Sequence, residues 1–265
     1  MSARTSLARM LAGPEEWNRR RLQVLLCVVV IVLVVVVVGI VWSGIELIGA
    51  GGTTHSSSAE SGTAESDSGA GPTLIDEAHP GPLSTGHTGT IRIPQPSKLG
   101  EAQVGTGFAQ SAAGALAQLI AIDRRAIESA SAVTAQDVIA AWAAPGGPSS
   151  ENWSGVGAVQ TLLESAGLPA NGSSDLEIQL EPAMGLIQGA EPGAGTATVC
   201  VDFILTARVA GKQPDRVAAA DCQHMIWRGD HWKIAAGEEA EPTPSLWPGT
   251  QASYRAGYQW LELLP

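Results

Sequence analysis

Residues 196–235 read TATVCVDFILTARVAGKQPDRVAAADCQHMIWRGDHWKIA. Every second side chain from Val199 to Val209 is apolar, and this alternation predicts a half-buried strand over Thr196–Val209. The polar turn GKQPD leads into a second strand over 217–228, and a Gly-Asp turn then leads into a third, HWKIAA. The stretch therefore predicts three consecutive antiparallel strands.

Alternation continues upstream of this stretch. Leu176, Ile178 and Leu180 alternate with polar residues and predict a further half-buried strand. Met184–Gln188 is either another strand or the continuation of the same one beyond a bend at Pro182. The predicted antiparallel sheet therefore has four or five strands.

Three helices are predicted before the strands. Apolar residues recur at helical spacing in GFAQSAAGALAQLIAIDRRAIESA, residues 107–130, and this spacing places Asp123 near the opposite side of the helix. A second helix is predicted with Thr134 as its N-cap, and a third ends just before Gly167. Helices followed by strands predict an α+β domain, with three helices packed on a bent antiparallel sheet, and we place it at residues 105–236.

Two cysteines fall on the strands that the GKQPD turn joins. Opposed residues of an antiparallel pair have numbers with a constant sum, which is about 425 for a turn centred near residue 212, while Cys200 and Cys222 sum to 422. Opposed positions lie ~4.5–5.5 Å apart, which suits a disulfide. We predict a Cys200–Cys222 disulfide rather than two unlinked core residues, and no CxxC motif or matching histidine pair points to zinc.

An apolar run occupies the N-terminal part of the chain. From Leu22 to Trp42 there are 21 residues, and only Gln23 and Gly39 are not strongly apolar. At ~1.5 Å per residue this run spans ~30 Å, the thickness of the hydrocarbon core of a bilayer. We predict a transmembrane helix over 22–45; the alternative is an export signal that is cleaved near Ile48–Gly52.

The charge distribution predicts the orientation of that span. Residues 1–21 carry five arginines and two glutamates, a net charge of +3, which leaves −14 for the rest of a chain whose net charge is −11. Because positive charge stays on the cytoplasmic side, we expect residues 1–21 to be cytoplasmic and the bulk of the chain to be extracytoplasmic. The acidic character of this extracytoplasmic part argues against binding of nucleic acid and against adhesion to anionic lipid.

Residues 46–104 and 237–265 flank the predicted domain. The first segment is rich in Gly, Ser, Thr and Pro and is predicted to be a flexible tether, in which the histidines are solvated rather than metal ligands. The second joins an acidic, Pro-rich linker to an aromatic tail. The tail is too apolar for a solvated end, so it either packs on the domain or contacts another protein through Tyr254, Tyr258, Trp260 and Leu261.

The helices and the bent sheet resemble the cone-shaped fold of nuclear transport factor 2 and its relatives. The whole arrangement resembles the bitopic components of type IV secretion and conjugation machines of GC-rich bacteria. VGTGFAQSAAGALAQLIAIDRRAI is similar to the first helix of such domains, and IWRGDHWKIA is similar to the last hairpin. The resemblance covers about residues 105–236. It implies a scaffold without catalytic residues or cofactors, whose partners are other envelope or secretion proteins or further copies of itself.

An enzymatic function is the main alternative. The chain has no HExxH, GxSxG, CxxC or Gly-rich phosphate motif. Strand alternation nevertheless places Asp221 and Gln223 on the sheet face opposite the cysteines, together with Phe203, Met225 and Trp227. A carboxylate in such a pocket would have a raised pKa and could act as a general base. The alternative for Asp221 is a position near a strand edge, where it is solvated or hydrogen-bonded to backbone. For the domain as a whole, a ligand-binding or sensing function is a third interpretation.

Overall fold

The computed structural model describes residues 73–190 and 195–264. The predicted α+β class is confirmed, with a curled, half-barrel sheet and five α-helices in this part of the chain. The predicted cytoplasmic tail (1–21), transmembrane helix (22–45) and first part of the tether lie outside the described residues. Within the described ranges, no helix combines the length and apolarity needed to cross a bilayer.

The main sheet has six strands: β1 (Thr90–Ile93), β4 (Leu176–Ala190), β5 (Thr196–Val209), β6 (Asp215–Arg228), β7 (His231–Ile234) and β8 (Gln259–Leu263). Their order in the sheet is β1-β8-β4-β5-β6-β7. Neighbouring strands are antiparallel, except that β1 and β8 run parallel. A separate two-stranded ribbon pairs β2 (Lys98–Leu99) with β3 (Gly105–Thr106).

The sheet is larger than predicted because it recruits strands from both flanking segments. β1 comes from the predicted tether and β8 from the tail, so the ordered fold begins well before residue 105. Within β1, Ile91 and Ile93 are buried and alternate with exposed residues. This strand was missed in the sequence because the segment was judged by its average composition, which is dominated by Gly, Ser and Pro. A strand of four residues changes that average very little.

Five helices accompany the sheet in the described residues, and three of them correspond to the predicted ones. The N-cap of the second predicted helix is Ser131 rather than Thr134: its hydroxyl oxygen accepts the Thr134 backbone N–H at 3.3 Å. Gly167 ends the third with φ +69°, as predicted. The helices are α1 (Leu74–Ala78), α2 (Ala112–Ile127), α3 (Ala132–Trp142), α4 (Ser154–Ala166) and α5 (Gln251–Arg255).

Strand β4 is continuous through the predicted bend. Its register against β5 shifts between Pro182 and Met184, which marks a β-bulge. Proline has no N–H to give to the sheet, so a bulge is a favourable place for it. Met184–Gln188 is therefore the continuation of the first strand, and the strand bends there.

The sheet packs on both faces. Val199, Val201 and Phe203 of β5 face a hydrophobic core that they share with the helices. Cys200 lies on the opposite face and belongs to a second hydrophobic cluster. The C-terminal segment packs on this face through Leu246 and Tyr258. The predicted tail thus packs on the domain, and strand alternation decides which side chains it covers.

Candidate functional site

The two cysteines form a disulfide between β5 and β6. Cys200 and Cys222 are directly opposed in the register, with Cα atoms 4.1 Å apart. Both are buried beneath the C-terminal segment, where the Cys222 sulfur lies 3.1 Å from the Thr243 hydroxyl. In the observed register, the numbers of opposed residues sum to 422. The sequence alone had placed this sum near 425, within a few residues of the observed value.

A polar cluster lies on the other face of β6. Asp221 and Gln223 are two residues apart on this strand, so their side chains project to the same side. The Gln223 amide nitrogen donates to Asp221 Oδ1 and to Glu239 Oε2, each at 3.2 Å. This arrangement fixes the amide orientation, because the reverse would point an oxygen at two carboxylates. One neutral amide therefore links two acids.

Asp123 of α2 adds a third carboxyl group from the helical layer. Its side chain is only 1% exposed, which corrects the prediction that it lies on the polar side of the helix. Burial raises the pKa of Asp123 well above its usual range, and the charges of Asp221 and Glu239 raise it further. For Asp221, burial and then the charge of Glu239 raise the pKa to about 7, against the opposing effect of its hydrogen bonds from Gln223 and the Cys222 backbone.

Several acceptors of this cluster have no donor in the described part of the chain. Asp123 Oδ2, Asp221 Oδ2 and Gln223 Oε1 are buried without a hydrogen-bond partner there. An unsatisfied buried acceptor costs about 1–3 kcal/mol, and more when it is charged. The cluster is therefore an unusual concentration of unsatisfied polar groups in an otherwise apolar layer.

Glu239 connects this cluster to a surface cavity. Its Oε1 accepts the backbone N–H of Ser154 at 2.8 Å, at the start of α4, where the N-cap residue Trp153 supplies no side-chain bond. A carboxylate is favourable there because the first amides of a helix point outward. The adjoining cavity of about 300 Å³ is lined by Pro148, Asn152, Ser154, Gly237, Glu238 and Glu239.

The other predicted pocket residues contribute mostly to the core. Phe203 and Met225 are 2% and 1% exposed and lie in the helix-side hydrophobic cluster. Trp227 is half-buried and packs edge-to-face on Trp232, with ring centroids 5.5 Å apart. The structure thus brings Asp221 and Gln223 together with Asp123 and Glu239, whereas the apolar members fill the space between helices and sheet.

A further buried acid lies on the opposite face of the sheet. Asp202 has no exposed surface, and neither carboxyl oxygen makes a hydrogen bond of good geometry within the described residues. Burial raises the pKa of Asp202 well above its usual range, and the Leu246 backbone acts in the other direction. Burial and then the charge of Asp202 raise the pKa of Tyr258.

A second cavity of about 190 Å³ lies beside the β2–β3 ribbon, and Trp142, Lys98 and Lys233 are among its lining residues. His231 of β7 packs edge-to-face on Trp142, with ring centroids 5.5 Å apart. Lys98 Nζ lies 3.5 Å from Asp230 Oδ2, and the Lys233 ammonium donates to the Ala141 carbonyl at 3.0 Å. The ammonium groups of Lys98 and Lys233 are thus paired, the first with a carboxylate and the second with backbone.

The aromatic tail contacts its own domain. Tyr258 has no exposed surface, and the Trp260 indole N–H donates to the Tyr254 hydroxyl at 2.8 Å. Leu261 lies opposite Ile91 in the parallel β1–β8 pair. Of the two predicted alternatives for the tail, the structure shows packing.

Comparisons with known proteins found no matching family model, no similar curated protein and no similar solved structure. In the described ranges, no three His, Cys, Asp or Glu side chains are placed to hold a metal ion.

Sequence reasoning missed Asp123 and Glu239 as members of the cluster. One sequence signal could have identified Asp123, because it is the only acidic residue of a largely apolar helix. No such signal exists for Glu239, which lies among other acidic residues.

Proposed function

We propose that the protein is a non-enzymatic docking module of a cell-envelope assembly, of the conjugation or type IV secretion kind. In this proposal the apolar run from Leu22 to Trp42 spans the bilayer once. The α+β domain lies outside the cytoplasm and contacts other envelope proteins or further copies of the chain.

The observation that carries the proposal is the Cys200–Cys222 pair. Its register and its Cα separation of 4.1 Å suit a disulfide, and disulfides persist in oxidising compartments outside the cytoplasm. The arginine-rich stretch before the apolar run and the acidic chain after it agree with that placement.

The packing of the domain supports docking over catalysis. The helix-facing side chains of Val201 and Phe203 on β5 and of Met225 on β6 lie in one hydrophobic cluster, whereas Asp221 and Gln223 on the same face of β6 are polar. Several large apolar side chains remain exposed at the surface, among them Leu83 at 71%, Leu99 at 74% and Leu263 at 62%. Because exposed apolar surface marks protein contacts when it is contiguous, these leucines are the positions at which a docked partner is sought.

Photo-crosslinking in intact cells tests the docking proposal. A photoreactive amino acid at Leu83, Leu99 or Leu263 is expected to trap specific envelope proteins or a second copy of the chain. The same amino acid at Lys212, in the exposed β5–β6 turn, serves as the control. Equal and unspecific labelling at all four positions would contradict the proposal.

Asp221 supports a second candidate function, in which the domain binds or converts a small molecule. Its pKa of about 7 is that of a general base poised near neutral pH. This candidate predicts that the purified full-length protein converts a small molecule and that Asp221→Asn abolishes the conversion. Turnover that survives Asp221→Asn would exclude this role for Asp221.

A further inference from the structure

The acid pocket consists of Asp123, Asp221, Gln223 and Glu239 together with the adjoining cavity at Glu238. Its buried groups have a surplus of acceptors. Asp123 Oδ2, Asp221 Oδ2 and Gln223 Oε1 have no donor among the described residues, although the amide nitrogen of Gln223 is fully used by two acids. While Asp123 and Asp221 are ionised, what the pocket lacks is N–H or O–H donors.

The pocket also lacks positive charge. The described lining of its cavity includes Glu238 and Glu239 but no Lys, Arg or His. Among the described residues, the charges that shift the pKa of Asp123 and Asp221 belong to other carboxylates and to no basic side chain. An occupant that brings both positive charge and hydrogen-bond donors would relieve both deficits.

The arrangement of the acids favours an organic cation over a metal ion. The amide of Gln223 sits between Asp221 and Glu239, at 3.2 Å from each, and occupies the place where a bridging ion would bind both. An ammonium group carries three donors on a compact charge, so it can pair with the Glu239 carboxylate at the wall of the cavity and still offer donors to other acceptors. A cavity of about 300 Å³ admits a short alkyl chain that carries such a group.

We propose that the acid pocket binds a primary ammonium group, which enters through the cavity and pairs with Glu239 in front of Asp221 and Asp123. This chemistry is shared by a lysine side chain of a docked protein and by a free alkylamine. The lysine source deepens the proposed docking function and rests on it, whereas binding of a free amine does not.

Calorimetric titration of the full-length protein with n-propylammonium chloride tests the pocket itself. We expect saturable binding that tetramethylammonium chloride, which has the same charge but no N–H donor, does not reproduce. Glu239→Gln retains an acceptor for the Ser154 N–H and should weaken binding at least tenfold, as should Asp221→Asn. Glu241→Gln, an exposed change two residues beyond Glu239, is the matched control and should leave affinity unchanged.

A zero-length carbodiimide crosslinker in intact cells tests the source of the ammonium group, because it joins only carboxylates and amines that touch. If the ligand is a lysine of another protein, peptide mapping should find it joined to Glu239 or Glu238, and Glu239→Gln should remove the Glu239 product. Propylammonium binding without such a crosslink would assign the pocket to a free amine.

The outcomes separate this inference from the docking proposal. Absence of propylammonium binding, or binding that tetramethylammonium reproduces or that Glu239→Gln leaves intact, would overturn the inference even if the photo-crosslinks at Leu83, Leu99 or Leu263 identify a partner. Specific propylammonium binding in a protein that traps no partner would uphold the pocket and contradict docking.

Discussion

The pKa of Asp221 is raised to about 7 because the carboxyl is buried and faces the charge of Glu239. In the unfolded chain an aspartate titrates near 3.9, so the folded state holds more protons than the unfolded state between pH ~4 and ~7. Stability contributed by the protonated acid is therefore lost as pH rises through this window. The raised pKa values of Asp123 and Asp202 act in the same direction.

We accordingly predict that the free energy of unfolding falls as the pH rises from 4.5 to 7.5. The fall should be about 1.4 kcal/mol for each unit by which the pKa of an acid in the folded state exceeds its value in the unfolded chain within this pH range. Asp221→Asn should flatten this dependence, whereas Asp137→Asn, at an exposed position of α3, should not. Urea unfolding at the two pH values measures both effects. A steeper pH dependence in Asp221→Asn than in the wild type would refute the assignment.

Two glycines test local packing in a matched pair. A Cβ on Gly114, in the first turn of α2, would collide with the Ala109 carbonyl oxygen, while a Cβ on Gly157 in α4 meets nothing within 4 Å. Alanine is favoured over glycine in helices by about 0.5–1 kcal/mol, so Gly157→Ala should raise the melting temperature slightly. Gly114→Ala should lower it despite the same propensity gain. Equal shifts in the two variants, measured by thermal unfolding, would count against this packing.

At the scale of elements, the disulfide ties β5 to β6 across 22 residues of chain. Closing a loop of this size is worth about 3 kcal/mol in the chain-entropy model. Replacing both Cys200 and Cys222 by alanine should therefore lower the free energy of unfolding by about that amount. Cys27→Ala leaves the pair intact and is the control; a double variant as stable as this control would argue against a bonded pair.

The strands show what sequence alone can predict. β5 has the bounds that were predicted, because the alternation of apolar side chains from Val199 to Val209 covers most of the strand. β1 and β8 were missed because each is short and because their pairing joins residues 90–93 to 260–263, far apart in the chain. Local pattern carries no information about such a long-range parallel pair.

The acid pocket was predictable only in part for the same reason. Alternation correctly puts Asp221 and Gln223 on the face opposite the cysteines. The contribution of Asp123 depends on the rotation of α2, and that of Glu239 depends on the path of the chain after β7. Both are set by tertiary packing rather than by local pattern.

At the scale of the molecule, the C-terminal segment is part of the fold rather than an appendage. It supplies β8 and covers the disulfide face through Tyr258, which has no exposed surface. Truncation after residue 236 should therefore remove the partner of β1 and expose the second hydrophobic cluster, so that cooperative unfolding is lost. Removing only Leu264 and Pro265 should be tolerated. A cooperative thermal transition in the longer truncation would contradict this role of the segment.

The central claim is the placement of an acidic, disulfide-bonded domain beyond a retained membrane span. Its most direct test is the intact mass of the protein from the membrane fraction after thiols are alkylated under denaturing conditions, since the chain has three cysteines. We predict an untrimmed chain with a single alkyl group, on Cys27. Three alkyl groups, or a soluble chain trimmed near Gly52, would contradict the claim.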